Sequence, residues 1–95
     1  MSEVIQTAIE TLNTRMKGGF DATVKFVLED EGTIMVDENG AREGDEPADM
    51  TMSAAPQVFQ DILNGDLDPA AAFMSGRLKV EGDMGLAMRL GSLLG

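Results

Sequence analysis

Residues 68–90 read Asp68-Pro-Ala-Ala-Ala-Phe-Met-Ser-Gly-Arg-Leu-Lys-Val-Glu-Gly-Asp-Met-Gly-Leu-Ala-Met-Arg-Leu90. Asp68 is a helix N-cap residue and Pro69 suits the first helical position, so a short helix runs through Ala70-Ala71-Ala72-Phe73-Met74. Gly76 closes it. Leu78 and Val80 then alternate with Arg77, Lys79 and Glu81, the period of a strand with one apolar face. Gly82-Asp83 opens a last helix, in which Leu86, Leu90, Leu93 and Leu94 recur at i, i+4, i+7 and i+8. The stretch therefore encodes helix, strand, helix, each bounded by its own cap or glycine.

Upstream, residues 48–53 alternate Ala48, Met50 and Met52 against Asp49, Thr51 and Ser53, which predicts a strand. Ser53 is placed to cap the following helix, with Pro56 in its first turn and Val58, Phe59, Ile62 and Leu63 as its apolar stripe; Gly65 ends it. Further back, Val24, Phe26 and Leu28 share one face of a strand over 22–29. A second strand resumes at Ile34 and Val36 after the Glu31-Gly32 turn. Asn39-Gly40 signals a type I′ hairpin, whose central residues both need positive φ, and a short third strand follows at 41–43. Residues 3–16 carry Val4, Ile5, Ala8, Ile9, Leu12 and Met16 on one helical face, and Gly18-Gly19 stops that helix. Helix, hairpins, helices, strand, helix predicts an α+β fold. Its sheet is mainly antiparallel, with the helices gathered on one face.

With 95 residues the chain provides material for one domain, residues 1–95. Acids outnumber bases 17 to 7, for a net charge of −10, which excludes nucleic acid and disfavours docking through a polybasic face. Nine of the acids fall between Glu29 and Asp49 beside a single base, Arg42, as a solvated hairpin face does. Histidine and cysteine are absent, which removes His-based triads, thiol nucleophiles, Cys/His zinc sites and disulfides. The acidic clusters lack the ligand spacing of a calcium loop and read as caps and turns. No phosphate-binding motif occurs, so no catalytic residue, metal or cofactor is expected. A secretory leader and an apolar run of spanning length are both missing, the C-terminal tripeptide is not a peroxisomal S-K-L address, and the expectation is cytoplasmic. Methionine stands out: 8 residues, against 4 aromatics. Thioethers suit either an adaptable core or a loosely shaped apolar site, and the pattern alone leaves both open.

Residues 68–90 resemble the C-terminal signature of the sterol carrier protein 2 domain family. Ala48-Asp49-Met50-Thr51-Met52 is similar to that family's alternating strand, and 59–65 to the helix after it. The resemblance implies a five-stranded sheet covered by helices, with an apolar tunnel between them. It implies non-enzymatic binding or transfer of fatty acids, fatty acyl-CoA, sterols or phospholipids by a monomer or weak homodimer, without stable membrane insertion. The residues then expected to line the tunnel are Phe26, Leu28, Met50, Met52, Phe59, Leu63, Phe73, Met74, Met84, Met88 and Leu90. Arg77, Lys79 and Arg89 are the candidates to meet a carboxylate or CoA phosphate. The alternative is a protein-interaction module that docks the Met/Leu face of residues 84–94 and takes no small molecule.

Overall fold

The computed structural model describes residues 3–16 and 19–94. Its elements are α1 (Glu3–Arg15), β1 (Val24–Leu28), β2 (Gly32–Asp37), β3 (Gly40–Glu43), β4 (Met50–Ala54), α2 (Pro56–Leu63), α3 (Pro69–Met74), β5 (Leu78–Gly82) and α4 (Met84–Leu94). Gly18 and the side chains of Leu93 and Leu94, which enter the sequence expectations above, lie outside the described residues. No helix among the described residues is long and apolar enough to cross a membrane.

The five strands form one sheet in the order β3-β2-β1-β4-β5. Three of the four pairings are antiparallel; the central one, β1 with β4, is parallel, in the register Val24↔Met50 to Leu28↔Ala54. A mainly antiparallel sheet is thus what forms, but hairpins alone do not build it. Residues 44–49 carry the chain from β3 past β2 and β1 to β4.

Alternation decides which face is buried. Val24, Phe26 and Leu28 on β1, Ile34 and Val36 on β2, Met50, Met52 and Ala54 on β4, and Leu78 on β5 all point to the helices and are at most 3% exposed. Helix α1 contributes Ile5, Ala8 and Leu12 to this core, α2 contributes Phe59, Ile62 and Leu63, and α4 contributes Leu90. Phe26 and Phe59 meet edge to face at 5.5 Å, a geometry worth about 0.5–1.5 kcal/mol beyond its burial.

The opposite face carries Lys25, Met35 and Arg42 as cross-strand neighbours. Met35 is 0% exposed although no helix covers it. The 44–49 crossover does so: the Gly44 N–H donates to the Thr33 carbonyl at 3.1 Å, and Lys25 pairs with Asp45 at 2.8 Å. Arg42 pairs with Asp37 at 2.7 Å and Glu46 at 3.5 Å. The Arg42 guanidinium holds the Asp37 carboxyl below the usual carboxylate range, and the Asn39 N–H adds to the effect.

Two local expectations are corrected. Ser53 does not cap α2; it is a strand residue within β4, and the cap position falls on Ala55, which has the extended backbone of a cap and no side-chain oxygen. Pro56 fixes that start without it. The tight turn at Asn39-Gly40 is centred one residue earlier, since Asp37 pairs with Gly40. Only Gly40 of that turn has positive φ, at +106°. Asn13 supplies the reason. Its Oδ1 accepts from the Ala41 N–H at 2.8 Å and its Nδ2 donates to the Ala41 carbonyl at 3.2 Å. A Cβ on Gly40 would sit 2.6 Å from that Oδ1.

Candidate functional site

The caps read from the sequence at 68–90 position two helix walls. Asp68 accepts from the Ala71 N–H at 3.1 Å and starts α3; Asp83 accepts from the Gly85 N–H at 2.8 Å and starts α4. Between them β5 returns along β4, pairing Val80 with Met52 and Leu78 with Ala54. The turn into α4 needs Gly82, which has φ +104° and would bring a Cβ within 2.5 Å of the Asp49 carbonyl.

These elements enclose an open apolar groove of about 840 Å³. Met52, Leu78 and Val80 form its floor, Leu67, Pro69, Ala70, Phe73 and Met74 one wall, and Met84, Ala87, Met88 and Gly91 the other. Its rim is unusually bare: Phe73 is 43%, Met84 46%, Met88 76% and Met74 85% exposed. Water contacts these large apolar groups at a cost that any apolar occupant would relieve. The two polar side chains in the lining are already engaged, Asp68 by its cap and Ser92 by donating to the Met88 carbonyl at 3.2 Å.

A second pocket of about 260 Å³ lies between α1 and α2, lined by Val4, Thr7, Thr11, Pro56, Gln60 and Asn64 over Leu28, Phe59 and Leu63. Beneath it is a void of about 10 Å³ bounded by Leu12, Phe26, Ile34 and Ile62, barely room for a water molecule.

The sequence-derived lining residues therefore separate into three sets. Met52, Phe73, Met74, Met84 and Met88 come together in the groove. Phe26, Leu28, Phe59 and Leu63 gather on the α1–α2 side. Met50 and Leu90 pack in the core, at 1% and 0% exposure, and border none of these cavities. Of the cations, Arg89 pairs with Asp21 and lies over the Phe20 ring at 5.2 Å. Arg77 and Lys79 have no ion pair among the described residues and stand outside the groove lining. Sequence reasoning missed Ala87 and Gly91, which share a face of α4 with Met84 and Met88. Small residues carry no weight in a hydrophobic stripe, yet they are what leaves the space. Leu78 and Val80 were visible as an apolar strand face, and the pairing to Met52 makes that face the floor.

A half-covered sheet with an apolar cavity open beside its edge strand is an α+β fold with room for an apolar ligand. The chain belongs to the SCP-2 sterol transfer family, whose model matches residues 2–95. It is 32% identical over 102 residues to hydroxysteroid dehydrogenase-like protein 2 from Rattus norvegicus, covering 99% of this chain and 20% of that protein. To sterol carrier protein 2 from the same organism it is 38% identical over 77 residues, or 80% of this chain and 13% of that one. The chain thus spans a fifth or less of these curated relatives. Its backbone resembles the solution structure of sterol carrier protein-2 from Aedes aegypti in complex with palmitate. There the TM-score is 0.82 and the identity 18%, with 100% of this chain and 97% of that one covered.

Proposed function

We propose that this chain binds and carries single-tailed apolar lipids, fatty acids or their thioesters foremost, in the α3–α4–β5 groove. The observation that carries the reading is the groove itself: about 840 Å³ of apolar space rimmed by exposed Phe73, Met74, Met84 and Met88. The family membership and the palmitate bound to the Aedes aegypti protein support the same ligand class.

Magnitudes agree. An acyl chain that buries about fourteen methylenes brings about 11 kcal/mol. Association costs return at least about 4 kcal/mol, leaving a Kd on the order of 10 µM without any head-group contact. A tail held this way asks only for flexible apolar walls, which thioethers provide. Arg77, just before β5, and Lys79, within it, are exposed and without an ion pair among the described residues, and are the cations open to an anionic head group. The reading is one of binding and transfer, in which Asp68 serves the α3 cap and Ser92 donates to the Met88 carbonyl.

Methionine-methyl NMR tests it on delipidated protein. Palmitate should shift the Met52, Met74, Met84 and Met88 methyls and leave Met16, Met35 and Met50 in place. Shifts confined to the other three, or none at all, would overturn the reading. Concentration-dependent dimerisation that itself perturbs the same four methyls, with no response to palmitate, would favour the interaction module instead.

A further inference from the structure

Sulfur is the reactive element of this groove. The chain has no cysteine and no histidine, and the soft, readily oxidised groups among the lining side chains are thioethers. Met52 lies in the floor at 3% exposure; Met84 at 46% and Met88 at 76% stand one turn apart on α4; Met74, at 85%, stands on α3 across from them. Leucine would supply equal apolarity with a better-defined shape. What methionine adds is two-electron chemistry, with the sulfoxide as product.

Resting on the lipid-binding reading, we propose that Met74, Met84 and Met88 reduce lipid hydroperoxides held in the groove. The sulfur lone pair attacks the terminal oxygen of the R–O–O–H group. An S–O bond forms as the O–O bond breaks, the departing alkoxide oxygen keeps the electron pair, and it takes up the hydroxyl proton. The products are methionine sulfoxide and the lipid alcohol. Sulfur is oxidised by two electrons and the peroxide reduced by two, so no other reactant is needed. The reaction is stoichiometric, up to three turnovers for the three exposed thioethers. Each sulfoxide is also polar, so the spent wall holds an apolar tail less well and releases the alcohol.

Geometry separates this chemistry from general oxidation of exposed sulfur. A tail seated in the groove fixes its hydroperoxide beside the thioethers, and that proximity replaces a bimolecular encounter. Hydrogen peroxide has no tail and meets the same sulfurs only by collision.

The experiment incubates delipidated protein with linoleic acid hydroperoxide or an equal concentration of hydrogen peroxide, each with and without excess palmitate. Peptide mass spectrometry reads the sulfoxides and chromatography the lipid alcohol. We expect oxidation of Met74, Met84 and Met88 to be at least about tenfold faster with the lipid hydroperoxide, matched by lipid alcohol and suppressed by palmitate. Met16, Met35 and Met50 should stay reduced. Equal rates with both oxidants, or no protection by palmitate, would overturn the proposal and assign the oxidation to exposure alone. Displacement of palmitate by the hydroperoxide with no sulfoxide would refute the chemistry and leave the lipid reading intact; failure of either lipid to bind would remove both. A Met74→Leu, Met84→Leu, Met88→Leu variant alters only exposed positions. With palmitate affinity measured alongside, the variant should form no alcohol even at hydroperoxide concentrations that saturate it, and full alcohol formation under those conditions would overturn the assignment.

Discussion

At the scale of single residues, two glycines of the C-terminal stretch have opposite meanings. Gly82 has φ +104° and a Cβ there would lie 2.5 Å from the Asp49 carbonyl, so Gly82→Ala meets both strain and a backbone clash. The expected loss is about 2–4 kcal/mol, a fall in Tm on the order of 10–20 °C. Gly91 sits inside α4, where a Cβ would make an ordinary 3.7 Å contact with Pro69. Gly91→Ala should raise stability by about 0.5–1 kcal/mol, and differential scanning calorimetry of the two variants checks both signs. Legibility at this scale tracked how far each residue's partner lies along the chain. Asp68 and Asp83 bond two or three residues ahead, and their caps were readable. Gly40 answers to Asn13, 28 residues from Ala41, and its turn was misplaced for that reason.

At the scale of elements, α2 begins without a capping oxygen. Ala55 already has φ −64° and ψ 148°, so Ala55→Asp should gain about 1 kcal/mol, measured as a raised urea midpoint with an unchanged slope. No change, or a loss, would mean that the side chain cannot reach the first-turn N–H groups. The hairpin end of the sheet supplies a pH dependence. The folded-state Asp37 carboxyl is held below its unfolded value by Arg42 and the Asn39 N–H. That stability is fully present above the ordinary carboxylate range and is lost as pH falls through the lowered value. Asp37→Asn should therefore cost stability near neutral pH, with a penalty that shrinks toward zero as the pH falls through the lowered value. A penalty that grows on acidification would contradict the pairing. All nine elements were readable from local pattern; the parallel union of β1 and β4 was not. It depends on a crossover whose tie, Lys25 to Asp45, joins residues that no periodicity relates.

For the whole molecule, the net charge of −10 means that folding concentrates like charges, against the ion pairs seen among the described residues. Salt screens both, and the repulsion has more members. Raising sodium chloride from about 20 mM to about 500 mM should raise Tm by a few degrees; a fall would show that the ion pairs dominate. The candidate site was half legible at this scale. Exposed Met74 and Met88 were recognisable as groove residues once the C-terminal stretch suggested its family. No pattern showed that α2, with Phe59 and Leu63, would wall off a separate pocket beside α1.

The β1–β4 ladder also has a consequence in time. Strands β1, β2 and β3 meet their neighbours through short turns, whereas β4 meets β5 only across α2 and α3, with Ala54 opposite Leu78 and Met50 opposite Gly82. Val24 and Met50 must likewise find each other across the intervening hairpins. Closing that loop costs entropy before any ladder bond forms. The groove floor, Met52 with Leu78 and Val80, is therefore completed by a long-range closure of the same kind and not by a local hairpin.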